Sequence, residues 1–187
     1  MAFDHRDGAS AANPYAPLMG RTFVDLDETG PLTVLDETRA ATLSAWVSRL
    51  IPGNAHWPSA CELDTVAYID AIVRKAPTLR PVLLGGIDAA DAAARSAHGS
   101  PFRELETAQQ VALLTELETT GAPEAFSMIF ELTYEAYYRA PSVQEVVKSR
   151  TGFDVHNTVV GKPMKPFPVE RLSTISTRPD HFRSVNA

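Results

Sequence analysis

The sequence predicts an all-α chain: a bundle of five to six helices, flanked by an extended N-terminal arm and a proline-rich, extended C-terminal tail. Three observations carry that expectation. Apolar residues recur at three- and four-residue intervals in successive windows between residues 35 and 152. Prolines and glycines mostly punctuate the ends of those windows, and ten of the fourteen prolines fall before residue 152, in the arm, at helix boundaries and in loops. No apolar–polar alternation is sustained enough to give a convincing strand, and there is no internal repeat.

Residues 1–34 are rich in Ala, Ser, Asn, Pro, Gly and Asp and lack a sustained period, which fits a loosely docked arm. Within it, Thr22 to Leu26 alternate weakly and could lie extended. The first helix starts at an Asp36 N-cap, with Glu37 in the first turn and Leu43, Trp46, Val47 and Leu50 on one face. Pro52-Gly53-Asn54 stops it. A second helix is expected over 61–76, with Leu63, Val66, Ile69, Ile72 and Val73 as its apolar face and Pro77 as its end. A third is expected over 79–98, lined by Leu79, Leu83, Ile87, Ala90 and Ala94. Its exposed side can hold an Asp91–Arg95 pair, and Gly99 suits the left-handed position after it. Gly85-Gly86 in mid-helix costs about 1 kcal/mol per glycine relative to alanine. Close helix packing is its plainest explanation; a kink or a ligand's approach is the alternative.

A fourth helix opens at a Thr107/Gln110 capping box, buries Val111, Leu114 and Leu117, and ends at Gly121. A fifth runs over 123–139 from Pro123 at its first position, with Phe126, Ile129, Phe130, Thr133, Tyr134 and Tyr137 on its face. A Ser142/Glu145 box opens a short sixth helix, which Gly152 closes. The domain plan is therefore an arm over 1–34, a bundle over 35–152 and a tail over 153–187. The tail holds five Lys/Arg against three Asp/Glu, and its apolar residues Phe153, Met164, Phe167 and Phe182 follow no period. It cannot fold alone, having no face to bury, so it packs back or wraps a partner.

Composition excludes several classes. With 44% hydrophobic and 21% charged residues over 187 positions, the chain is an ordinary globular one that needs no metal or disulfide staple. A single cysteine, Cys61, rules out an intramolecular disulfide and a multi-cysteine metal site. A formal net charge of −6 argues against nucleic acid as partner. No apolar stretch is long enough to span a membrane. Met1 to Ser10 show no basic-then-apolar leader and no twin arginine, so the expected location is cytoplasmic, or periplasmic if a leader was removed or lies on a partner.

Chemistry-bearing motifs are scarce. His5, His56, His98, His156 and His181 are scattered, with no pair at metal-binding spacing, so no metal site is expected. His98 beside Gly99 reads as a helix C-terminal residue. Gly161-Lys162 lacks the preceding glycine and the following hydroxyl of a phosphate loop, and no GxGxxG follows a strand, so no cofactor-binding residue is assigned. Cys61 at the start of a helix could be an activated thiolate, but a buried structural cysteine is the plainer reading. Glu131 and Glu135, four residues apart beside Tyr134 and Tyr138, could do acid–base work; a solvated face is again plainer, and no catalytic residue is assigned. The densest aromatic cluster is Phe126, Phe130, Tyr134, Tyr137 and Tyr138, followed by Arg139. Adjacent Tyr137 and Tyr138 point about 100° apart, so one of them belongs at a surface or interface.

Several of these stretches resemble the gluconate 2-dehydrogenase subunit 3 family, small subunits that accompany a large flavoprotein of the glucose–methanol–choline class. Leu43 to Pro52 resembles that family's first helix and its closing Leu-Ile-Pro, and Val66 to Asp70 its second. Pro101 to Leu105, Gln110 to Glu118 and Phe126 to Tyr138 follow its later Phe-x-x-Leu, Leu-Leu-x-x-Leu-Glu and Phe-x-x-Leu-Thr-x-x-x-Tyr-Tyr patterns. The likeness covers roughly residues 35 to 165. Family members often carry a twin-arginine leader, and the residues from Met1 to Ser10 show no such pair. The chain also has Ser142 to Val146 where many members carry Tyr-Gly-Gly-Asn.

The resemblance implies a non-catalytic accessory subunit of a flavin-dependent oxidoreductase acting on a sugar, glycoside or related alcohol. FAD would sit in the large partner subunit and none in this chain. The candidate partner-facing residues are Tyr134, Tyr137, Tyr138, Arg139, Phe153, Met164, Phe167 and Phe182. Two alternatives stand beside it: a homo-oligomeric helical interaction protein without an enzyme partner, and a stand-alone helical enzyme using Glu131 and Glu135.

Overall fold

The computed structural model of the chain describes residues 29–154. The fold is an all-α bundle, with six α-helices and no strand among the described residues. They are α1 (Glu37–Leu50), α2 (Thr65–Lys75), α3 (Arg80–His98), α4 (Thr107–Glu116), α5 (Pro123–Arg139) and α6 (Pro141–Thr151). The chain divides into two units after Phe153, and all six helices belong to the first. The arm expected before residue 29, its extended Thr22 to Leu26 stretch and the tail beyond Asp154 lie outside the described residues.

Most element boundaries follow the local chemistry read above. The Asp36 carboxylate accepts the Arg39 amide at 2.8 Å and caps α1, whose Leu43, Trp46 and Val47 are fully buried. Gly53 at φ 74° lets the chain turn tightly after α1; a Cβ there would lie 2.5 Å from the Ser59 nitrogen. Gly99 and Gly152 take the left-handed position after α3 and α6. Pro123 stands in the first turn of α5.

Four boundaries differ from expectation, each for a local reason. The stretch expected as one helix over 61–76 is a 3-10 turn, Ala60–Glu62, followed by a break and then α2. The Ser59 amide donates to Glu62 Oε2 at 2.9 Å, which completes a capping box around that single turn. Pro77 likewise opens a 3-10 turn, Pro77–Leu79, that leads into α3. The box of α4 sits one residue earlier than expected, on Glu106 and Gln109. Gln110 instead is buried and donates to the Phe102 carbonyl at 2.9 Å. At α6 the expected Ser142/Glu145 box gives way to Pro141 in the first turn. Ala140 alone links α5 to α6, which leaves no room for a Ser142 cap. A π-helical turn, Leu117–Gly121, joins α4 to α5.

The core is built around Trp46, whose ring lies 6.4 Å from Phe102 and 6.1 Å from Phe126. Helix α5 packs on α1, α2, α3 and α6. Gly86 shows why α3 and α5 approach so closely: a Cβ on it would stand 2.4 Å from the Ala125 Cβ. The expected role in helix packing therefore belongs to Gly86 alone. Gly85 is exposed and a Cβ there would meet nothing within 4 Å.

A buried carboxylate organises the entry to the bundle. Asp70 of α2 is 2% exposed. Its Oδ1 accepts the Val34 and Leu35 amides at 2.8 Å each, and its Oδ2 accepts the Thr33 amide and hydroxyl at 3.0 and 3.2 Å. The residues just before α1, expected to be loosely docked, are thus pinned through their backbone to α2. Asp91 plays a lesser version of this part. The expected Asp91–Arg95 pair exists at 3.9 Å, but the Asp91 carboxylate is largely buried, taking the Phe102 amide at 3.0 Å and the Thr42 hydroxyl at 3.2 Å.

Three outcomes follow for stability, each read as the urea midpoint of unfolding. Asp70→Ala orphans three backbone amides and is expected to cost about 3 kcal/mol. Gly86→Ala is expected to cost about 1–3 kcal/mol through overpacking. Gly85→Ala, one residue away, is expected to gain about 0.5–1 kcal/mol from helix propensity alone.

Candidate functional site

Helix α5 divides its surface between core and solvent. Ala125, Met128, Ile129, Leu132, Thr133, Ala136 and Tyr137 are buried. Phe126, Phe130, Tyr134 and Tyr138 form a second row at four-residue steps. Each such step advances roughly 400°, so three steps rotate the row about 120° around the helix. The row consequently starts against the core, where Phe126 meets Trp46, and ends in solvent at Tyr138. Successive ring centroids are 6.4, 4.6 and 6.3 Å apart, which makes the row a continuous aromatic ridge. Phe130 is 40% and Tyr138 54% exposed.

Two shallow cavities flank the ridge. One of about 260 Å³ lies between Tyr134, Tyr137 and Tyr138 of α5 and the loop after α1, with Pro52 and Trp57. Asn54 shapes that loop by accepting the His56 and Trp57 amides at 2.9 and 3.2 Å. The other, of about 220 Å³, is lined by Glu118, Phe126, Ser127, Phe130 and Glu131.

The sequence-derived candidates separate on this surface. Tyr138 is exposed and Tyr134 half-buried, both on the ridge. Tyr137 is only 3% exposed, so of the adjacent pair it is the one that turns inward. Its hydroxyl donates to the Pro58 carbonyl at 3.0 Å, and its ring meets that of Tyr138 edge-on at 5.4 Å. Burial, reinforced by the neighbouring Tyr138 and Glu62, pushes its phenol above the ordinary tyrosine value. As a partner-facing side chain Tyr137 is corrected to a core residue that anchors α5 to the loop before α2. Arg139 is half-buried; its guanidinium lies 5.7 Å over the Tyr68 ring and 4.0 Å from Glu135. Phe153, past the end of α6, is 51% exposed. Met164, Phe167 and Phe182 lie outside the described residues.

The carboxylates weighed for acid–base work also part company. Glu135 accepts the hydroxyl of fully buried Tyr68, so with Arg139 it ties α5 to α2. Glu131 lines the smaller cavity with Glu118. Cys61, read as a buried structural residue, is exposed on the 3-10 turn, where its Sγ lies 3.3 Å from the Ser59 hydroxyl. The break before α2 explains this, because Cys61 is not part of that helix's buried face. Among the described residues no group of three or more His, Cys, Asp or Glu side chains is placed to hold a metal ion. No helix among them is long and apolar enough to cross a membrane.

Sequence reasoning missed Asp70 as the organiser of the bundle entry. The signal was present: a lone carboxylate inside the apolar run Ile69-Asp70-Ala71-Ile72-Val73 has to be hydrogen-bonded if it is buried. It missed Trp57 as a cavity wall as well, because a loop tryptophan carries no periodic signal.

A model of one protein family, gluconate 2-dehydrogenase subunit 3, matches residues 36–154. That span takes in all six helices and every stretch on which the sequence resemblance rests. No curated protein and no solved structure matches.

The Tyr137 geometry gives a pH prediction. Its phenol titrates above its unfolded value of about 10, so its contribution to stability is complete below pH 10 and falls as the pH rises through the folded value. Thermal melts should show that alkaline loss in the wild type. It should be smaller in Tyr137→Phe, which also gives up about 1 kcal/mol at neutral pH with the Pro58 hydrogen bond.

Proposed function

This chain belongs to the gluconate 2-dehydrogenase subunit 3 family, and from that premise we propose that it is the non-catalytic accessory subunit of a flavin-dependent oxidoreductase. The enzyme is of the glucose–methanol–choline type and acts on a sugar, glycoside or related alcohol. FAD and the substrate contacts belong to the large subunit. Family membership makes the chain a subunit of a dehydrogenase complex; the flavin partner and its substrate class are the proposed part.

The exposed aromatic ridge of α5 is the observation that supports this reading best. A helix that already buries one face has no folding reason to present Phe130 and Tyr138 to water as part of a stacked row. Aromatic rings at the rim of shallow cavities are the usual anchors of protein interfaces. Of the two carboxylates weighed for acid–base work, Glu135 is engaged structurally, accepting the Tyr68 hydroxyl. A subunit that binds only the folded form of its partner stabilises that fold by mass action, which is what an accessory subunit needs to do.

The reading is tested by producing the flavoprotein encoded beside this chain with and without it. Co-production is expected to give a hetero-oligomer that co-elutes, with more soluble flavoprotein and a higher melting temperature. The purified small chain alone is expected to reduce no dye with any sugar. A lone chain that oxidises substrate, or a flavoprotein indifferent to its presence, overturns the reading.

A further inference from the structure

The charge at the Phe126–Phe130 end of the ridge has one sign, that of Glu118 and Glu131. Between Arg103 and Arg139 the sequence holds seven glutamates and no lysine, arginine or aspartate. That stretch makes α4, the π-helical turn and α5 up to its last residue, the cation Arg139, while the other helices carry cations along their length: Arg39 and Arg49 on α1, Arg74 and Lys75 on α2, Arg80 and Arg95 on α3, Lys148 and Arg150 on α6. Glu116, Glu118 and Glu124 are exposed. Glu118 and Glu131 line the cavity beside Phe126 and Phe130, and Arg139 lies at the other end of the row, 4.0 Å from Glu135. The acidic character is therefore concentrated at the Phe126–Phe130 end, and the Tyr138 end, beside Pro52 and Trp57, is the more apolar one.

We propose that this face docks on a basic, apolar-centred surface of the large subunit, in two parts. An arginine or lysine of the partner lies over the exposed Phe130 ring and reaches the exposed Glu118 carboxylate at the 220 Å³ cavity. An apolar partner side chain fills the 260 Å³ cavity beside Tyr134, Tyr138 and Trp57. A cation held between an aromatic face and a carboxylate gains from both at once. Charge complementarity selects this occupant. A second copy of the chain would bring the same glutamates against themselves in a two-fold contact, and a phosphate backbone or an anionic lipid surface would be repelled.

The inference rests on the accessory-subunit reading, and the experiment separates the two. The full-length chain and its co-produced flavoprotein are compared, free and in complex, by hydroxyl-radical footprinting of Phe130 and Tyr138. Both rings are expected to be oxidised severalfold more slowly in the complex. In parallel, association kinetics are measured at low and high salt for the wild type and for the surface variant Glu118→Gln/Glu124→Gln, its fold checked by circular dichroism. The on-rate is expected to fall about tenfold on raising salt or on neutralising the two glutamates. A complex that forms while both rings stay as reactive as in the free subunit overturns the inference and leaves the accessory reading standing. So does a complex whose on-rate ignores both salt and the variant. Failure to form any complex overturns the accessory reading, and the docking surface with it.

Discussion

The missing side chain at Gly86 is the constraint on which the placement of α5 depends. Without it, α5 comes close enough for Ala125 to occupy the space where a Cβ would stand. From that depth α5 can touch α1, α2, α3 and α6 together. Depth alone does not fix which face looks outward, because a cylinder in a groove can still rotate. Two hydrogen bonds stop the rotation: Glu135 takes the Tyr68 hydroxyl on one side, and the Tyr137 hydroxyl reaches the Pro58 carbonyl on another. With those two fixed, helical geometry leaves the Phe130–Tyr138 end of the row facing solvent. The ridge is thus a consequence of how α5 is locked.

Asp70 does for the chain's entry what Gly86 does for α5. A carboxylate at 2% exposure is costly to bury unless its oxygens are hydrogen-bonded, and here the donors come mostly from backbone rather than from a counter-ion. Backbone amides are positioned only if residues 33–35 run along α2 in one register. Satisfying the charge therefore dictates the path of the segment, and that path delivers Leu35 into the core immediately before the Asp36 cap. Polar and apolar demands select the same conformation, which is the consistency that makes a fold unique.

Much of this was legible in the sequence. The helices were found by their apolar period, and the ends at Asp36, Gly99, Pro123 and Gly152 by cap and breaker chemistry. Three of the misplaced helix starts share one cause: competition between neighbouring caps. Ser59 and Asp64 both offer starts near α2, Glu106 and Thr107 both near α4, and Pro141 competes with Ser142 at α6. The reciprocal boxes Ser59/Glu62 and Glu106/Gln109 took two of these starts, and Pro141 in the first turn took the third. The aromatic cluster was visible as a candidate surface, and the 100° between Tyr137 and Tyr138 required that one face outward. Which of the two did so depended on the Pro58 carbonyl, nearly eighty positions away in sequence, and on the loop that brings it there. Cys61 was misread because its burial depended on a continuous second helix that the Ser59 box interrupts.

The same separation explains how one helix can serve both core and partner. Substitution on the buried side of α5 changes the bundle, because Met128, Ile129 and Leu132 have no room to adjust. Substitution at Phe130 or Tyr138 removes little of the core's contact. Glu118, beside these rings, is likewise exposed, whereas the Glu135 carboxylate faces Tyr68 and Arg139. A surface that the bundle does not require, yet whose rings follow one another in a row and end on a carboxylate-lined cavity, is constrained by something other than folding. On the accessory-subunit reading that constraint is complementarity to the large subunit. The bundle's contribution is then rigidity: it presents the row already ordered, so little conformational freedom remains to be lost when the two subunits meet.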